Sequence, residues 1–257
     1  MRLPSISSVI ALAAVMTLQA QQQPKPKSQK EVEALQKVQA AAQAQNYDGE
    51  LQAITYVLEN FADTEYKPML LNMAMDAAQR KGDQAQMTVY GERMLEADPN
   101  NIPARVLLAE NIAGHTREND LDKDQSLKKV DDYANKALDL LKTATTPPLG
   151  MAPEQWPDYK KELTSQAYDA LGQSADLRKN YPDAIKNFKS AIDAQPTNAV
   201  PVARLSKAYV GAKQYDDAIS TADKVLAMND APASVKKFAQ EQKDAATKLK
   251  GAATPSK

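Results

Sequence analysis

The chain has 257 residues, 43% of them apolar and 25% charged, enough apolar material for a sizeable buried core. Its 32 basic and 33 acidic residues nearly cancel, for a net charge of −1, which excludes the broad positive field of a nucleic-acid-binding surface. It has 8 glycines, one histidine and no cysteine, so disulfides, Cys–His nucleophilic chemistry, His-rich metal sites and a Gly-rich phosphate loop have no material, while recurring Ala, Gln, Lys and Leu favour helix over strand.

The chain opens MRLPSISSVIALAAVMTLQAQQQ: Arg2, then an apolar run from Ile6 to Leu18 too short to span a bilayer comfortably, then Leu18-Gln19-Ala20 with a small residue for cleavage. We read residues 1–20 as a signal peptide and 21–29 as a polar linker. Removing the first 20 residues takes away only Arg2 among charged side chains and moves the net charge to −2. With no Cys at the cleavage point for lipid attachment, the expected product is a periplasmic or secreted chain without stable membrane insertion.

Residues 30–250 read as amphipathic helical segments in about five pairs. Ala34 to Leu58 forms the first pair. Residues 68–100 form the second, with the turn AQRKGD, and Met75, Met87 and Met94 stand where small residues are expected. Ile102 to Leu141 forms the third, with a lengthened connection between its helices. The segment TTPPLGMAPEQWPDYKK then crosses to the fourth pair; Pro147-Pro148 and Pro157 order it, and Trp156, beside Leu149 and Met151, is expected to cover an apolar edge. The last two pairs repeat at an offset of 34, which matches Tyr181 with Tyr215, Ala184 with Ala218, Ile185 with Ile219, and Leu171 with Leu205. Ala231 to Leu249, with Val235, Phe238, Ala239, Gln242 and Ala246 at helical spacing, reads as a polar capping helix, and 251–257 as a disordered tail.

Within the fourth pair, Tyr168, Leu171, Gly172, Ala184, Phe188, Ala191 and Pro196 follow the pattern aromatic-x2-Leu-Gly, then Ala-x3-Phe, then Pro. The sequence resembles the tetratricopeptide repeat family, most strongly over residues 165–230. The resemblance implies an all-α, right-handed superhelical solenoid of helix-turn-helix repeats with a C-terminal capping helix. It also implies that Gly172 faces Ala184 across the pair, that Phe188 is buried, that Pro196 ends the second helix and that Asn198 starts the next.

Two sets of residues are candidates for function. Asp120, Asp122, Asp124 and Asp131 stand at positions 1, 3, 5 and 12 of a calcium-binding loop, although Gln125 replaces its turn glycine and Lys123, Lys128 and Lys129 oppose a cation. A calcium-responsive binding module using 120–131 is therefore the alternative reading, and an enzyme the third. No residue is singled out as catalytic or metal-ligating, and no cofactor is expected. The principal candidate is the concave face, which in the family is lined by the first helix of each repeat; the resemblance places Asn72, Asp76, Arg105, Gln173, Arg204 and Lys207 there, with Asp169 and Asp176 beside them. The Lys, Asn and Arg set with which some family members clamp a peptide C-terminus is missing. The expected activity is non-enzymatic: a protein-interaction scaffold whose partner is an unidentified protein or peptide, with no nucleic acid.

Overall fold

Eleven α-helices and one 3-10 turn follow one another in the described residues, 24–148 and 151–253 of this computed structural model. Among these residues no strand forms. Short connections fold each helix back on its predecessor in five hairpins: α1 (Gln29–Gln43) with α2 (Tyr47–Asn60), α3 (Lys67–Lys81) with α4 (Gln84–Ala97), α5 (Ile102–His115) with α6 (Lys123–Thr143), α7 (Trp156–Leu177) with α8 (Tyr181–Ala194), and α9 (Ala199–Gly211) with α10 (Tyr215–Ala227). The last helix, α11 (Ala233–Ala253), packs on α9 and α10. The architecture is an all-α solenoid, as the repeat pattern predicts. The signal-peptide reading of residues 1–20 falls outside the described residues. Part of the expected tail is helical, since α11 runs on to Ala253.

Local chemistry sets the helix ends. Ser28, Asn46, Asp83, Asn101, Asn180 and Asn198 each accept a backbone N–H of the first helical turn on a side-chain oxygen. Each such cap satisfies one of the donors that a helix start leaves orphaned. Asn198 opens α9 two residues after Pro196, as the sequence predicts. Part of the expected linker is tied down as well. Glu31 is buried at 1% exposure, accepts Thr64 Oγ1 at 2.6 Å and the Lys27 amide at 2.6 Å, and Tyr66 Oη donates to the Pro24 carbonyl at 2.7 Å.

Four of the five hairpins turn in the same way. Gln45, Gly82, Lys179 and Lys213 adopt the left-handed conformation, with φ of 52°, 73°, 60° and 61°. The residue after each donates its amide to the carbonyl five positions back: Asn46 to Ala41, Asp83 to Ala78, Asn180 to Ala175, and Gln214 to Tyr209. This is a Schellman closure, which favours glycine at the left-handed position. Only the second hairpin has one. Lys213→Gly is accordingly expected to stabilise the protein by about 0.5–1 kcal/mol by removing left-handed strain from an exposed residue. A urea midpoint at or below that of the unaltered chain would count against it.

The buried side chains run the length of the molecule. Ile54, Val57, Leu70, Leu71 and Met94 fill the N-terminal part, Leu163, Val130 and Ala134 the middle, and Phe188, Ala208 and Ala218 the C-terminal part. Phe188 is 1% exposed. The partner of Gly172 differs from the expected one: the atoms nearest a Cβ built at 172 belong to the Phe188 ring, at 2.5 Å, rather than to Ala184. Ring and helix backbone meet where a glycine leaves room, and Ala184, itself fully buried, supplies small bulk on the facing helix. α7 holds a special place, packing on α5, α6, α8 and α9, whereas the first helices α1 and α3 make no such direct contact.

Candidate functional site

Because α7 packs on α5 and lies beside α9, charged residues that are far apart in sequence meet on one surface. Asp169, on the third turn of α7 counted back from its end, is 4% exposed. Its Oδ2 accepts Gln173 Nε2 at 3.1 Å and the Arg204 guanidinium of α9, while its Oδ1 is buried with no hydrogen-bond partner. Two turns further along, Lys207 Nζ reaches Asp176 Oδ2 at 2.7 Å. Gln173, Arg204 and Lys207, three of the six groove residues expected from the sequence, therefore converge.

A fourth participant comes from α5. Burial, and then the nearby Asp169 charge, push the Glu110 carboxyl up to about 7, with Glu162 adding to the rise and Arg204 opposing it. Asp169 itself is pushed above the ordinary carboxylate range by burial, against the pull of the Arg204 charge and the hydrogen bonds from Arg204 and Gln173. Glu110 and Glu162 are half-buried, and neither forms an ion pair among the described residues. Of these carboxylates only Asp169 is paired with the Arg204 guanidinium.

Residues 177–241, from the end of α7 into α11, match the family profile described as tetratricopeptide repeat. Over that segment the chain is similar to tetratricopeptide repeats. The fold agrees with solved structures at low identity: a thermophilic tetratricopeptide-repeat protein of Thermus thermophilus, TTC0263, at 13% identity and a TM-score of 0.54, covering 82% of this chain and 98% of that one. MamA superposes at 15% identity and 0.57 over 88% and 98% of the two chains, and PilW, a type IV pilus biogenesis factor, at 14% and 0.55 over 88% and 92%. These likenesses are of fold. No curated protein sequence matches the chain.

The other expected groove residues lie apart from this cluster. Asn72 and Asp76 are on α3, where Asp76 pairs with Arg80 at 2.7 Å along the same helix. Arg105, in the first turn of α5, donates through Nε and Nη2 to the Pro99 carbonyl at 3.2 and 2.5 Å and so closes the turn between the second and third repeats. Between α1 and α3 the same series of first helices leaves an apolar groove of about 410 Å³ lined by Val32, Leu35, Tyr66, Met69 and Met73. Glu110 and Glu162 were missed by the repeat template. The available signal was Glu110 as the sole carboxylate in α5, within the run VLLAENIA.

The calcium reading of residues 120–131 is overturned by the helix. α6 already begins at Lys123, so Asp124 lies in its first turn and Asp131 in its third. Nine residues of helix separate Asp122 from Asp131 by roughly 13 Å, too far to share an ion. Asp131 turns instead to α7, where it accepts Ser174 Oγ at 2.7 Å and pairs with Arg178 at 2.9 Å. The helix cap is Asp122, whose side chain accepts no backbone N–H of the first turn. Among the described residues no group of three or more His, Cys, Asp or Glu is placed to hold a metal ion.

Trp156 lies at the start of α7, 6% exposed, among Leu163, Leu141, Met151 and Tyr159, so it covers the edge between the third and fourth repeats as expected; Leu149 lies outside the described residues. His115 is an exposed residue at the end of α5 with Nδ1 2.7 Å from the Asn111 carbonyl. Among the described residues no helix is long and apolar enough to cross a membrane.

Proposed function

We propose that the chain is an exported, non-enzymatic scaffold that holds another protein on the concave face formed by the first helices of its repeats. The observation that carries this reading is the convergence of Glu110, Asp169, Gln173, Asp176, Arg204 and Lys207 from three successive repeats on one surface. Stacked repeats present an extended surface of this kind, on which an extended segment or a helix of a partner can lie. Export draws on the sequence alone: Arg2, the apolar run from Ile6 to Leu18 and Ala20, which together direct a chain to the periplasm or the medium.

The test is capture from a periplasmic extract with the mature chain as bait. Lys207→Glu reverses an exposed charge on the face, away from the buried core, and is expected to lose the captured protein while keeping full helicity. Trp156→Ala is expected to retain it while losing roughly 3–5 kcal/mol of stability, the usual cost of deleting a buried large aromatic. If Lys207→Glu keeps every captured protein and a folded Trp156→Ala loses them, the docking surface lies at the proline-rich crossing instead. An intact Met1 terminus found by mass spectrometry in the membrane fraction would remove the export part of the reading.

A further inference from the structure

We propose that Met69 is a reversible oxidation site, at which a peroxide takes the thioether to the sulfoxide and so turns the groove between α1 and α3 from apolar to polar while the chain stays folded. This goes beyond the docking reading and does not depend on which protein the first-helix face holds.

The methionines of the described residues differ widely in access to solvent. Met94 is fully buried, and Met75 and Met87 are each 3% exposed. Met73, Met151 and Met228 are half-buried and pack against core side chains. Met69 stands apart at 45% exposure. Its position in the helix accounts for this. A helical side chain leans back over the turn that precedes it, and Met69 is the third residue of α3, so there is almost no helix before it to lie on. Oxidation of methionine follows the access of the oxidant to sulfur, which makes Met69 the first to react.

The second observation is the cavity that the side chain lines. Met69 and Met73, one turn apart on α3, form one wall of the groove of about 410 Å³ that Val32 and Leu35 close from α1, and its described lining carries no charged side chain. In the reaction the sulfur lone pair takes the distal peroxide oxygen as the O–O bond breaks, and the proton of that oxygen passes to the departing hydroxide, which leaves as water. Sulfur is oxidised and the peroxide reduced. The product replaces a flexible apolar group by a polar one that accepts hydrogen bonds. At position 69 water can supply the donor, and so can the carboxamides of Gln36, Gln39 and Gln43 on the α1 side of the same groove. Fully buried Met94 has no water beside it, and a sulfoxide there would cost the fold instead. Oxidation at Met69 therefore alters the groove and spares the core.

The test treats the full chain with dilute hydrogen peroxide and follows each methionine by peptide mass spectrometry. Sulfoxide is expected at Met69 at least about tenfold faster than at Met75, Met87 and Met94, and ahead of Met73, Met151 and Met228, with helicity unchanged. Nile red, an uncharged apolar dye, reports on the groove. It is expected to bind about tenfold more weakly after oxidation and to recover when the two methionine sulfoxide reductases, one for each epimer, act with a thiol reductant. Met69→Leu keeps the lining apolar and is expected to make dye binding indifferent to peroxide, whereas Met69→Gln weakens the dye with no oxidant present. Sulfoxide forming first at any of the other methionines named, helicity lost in step with oxidation of Met69, or dye binding that is absent or unchanged by peroxide each overturns the proposal. So does a peroxide effect that persists in Met69→Leu, or one that the reductases fail to reverse.

Discussion

Replacing Glu110 by glutamine is expected to make the protein more stable at pH 8 and to change its stability little at pH 5. The Glu110 carboxyl is raised from the ordinary value of 4.5 to about 7 in the folded state by burial and by the Asp169 charge. Below about 4.5 the group is protonated whether the chain is folded or not, and it contributes no pH dependence. Between 4.5 and 7 the unfolded chain releases the proton and the folded chain keeps it, so stability falls as pH rises, and it levels off above 7. The full difference is on the order of 3 kcal/mol, taking about 1.4 kcal/mol for each pH unit. Glutamine carries no charge to be buried, so the variant should lose most of that slope. Asp169, also raised, gives a remaining slope of the same sign. Urea midpoints at pH 5 and pH 8 decide the matter: the gap between variant and unaltered chain should open with pH, and a gap of constant size would show that the charge of Glu110 is not being destabilised by its surroundings.

The second large effect lies at the contact between Gly172 and Phe188. Phe188→Ala should cost roughly 3–5 kcal/mol, since the ring is fully buried and the neighbouring helices close only partly over the space left behind. Gly172→Ala gains about 1 kcal/mol of helix propensity, yet its Cβ would stand 2.5 Å from two ring carbons and 2.9 Å from a third, and the displaced ring has nowhere open to go. Overpacking of this kind costs roughly 1–3 kcal/mol. With the ring removed the clash vanishes, and alanine at 172 should stabilise the Phe188→Ala chain. The two changes are thus expected to be coupled by about 2 kcal/mol or more, read from urea unfolding of the four proteins in the cycle. Additive midpoints would mean that the ring and the glycine do not meet.

The contrast between these two sites shows what a single sequence makes legible. Gly172, Phe188, Pro196 and Asn198 recur at fixed distances because each is demanded by the repeat itself, by a close approach, a core ring, a helix stop and a helix start. Such requirements are local or span one hairpin, and they appear in the order of residues. The assignment of Ala184 as the partner of Gly172 missed by one helical turn, since spacing fixes the face on which a side chain stands but not the atom that fills the gap.

The carboxylate cluster is another matter. Glu110 meets Asp169 because α5 packs directly on α7, at a joint where the connection between repeats is longest and the 34-residue offset does not apply. Asp131 was misread for a related reason. A loop was inferred from a run of Asp and Lys, but helix α6 extends back to Lys123, carried by Leu127, Val130 and Ala134 on its buried side. Apolar spacing prevailed over polar composition there. Arg105 illustrates the limit of carrying a position over from a template: the residue stands on the expected helix, yet its guanidinium is engaged by the Pro99 carbonyl of the preceding turn.

The position of α7 gives the molecule a middle. A uniform stack of repeats behaves as a one-dimensional chain of nearest neighbours and can come apart at any joint. Here α7 touches helices from the third, fourth and fifth repeats, and its Asp169 depends on an arginine that lies in the fifth. Cutting the chain after α8 would take away both the cation that neutralises that carboxylate and the helix packed over it, which makes the C-terminal repeat a support of the repeat before it rather than an appendage. Loss of the fifth repeat is therefore expected to loosen the fourth along with it.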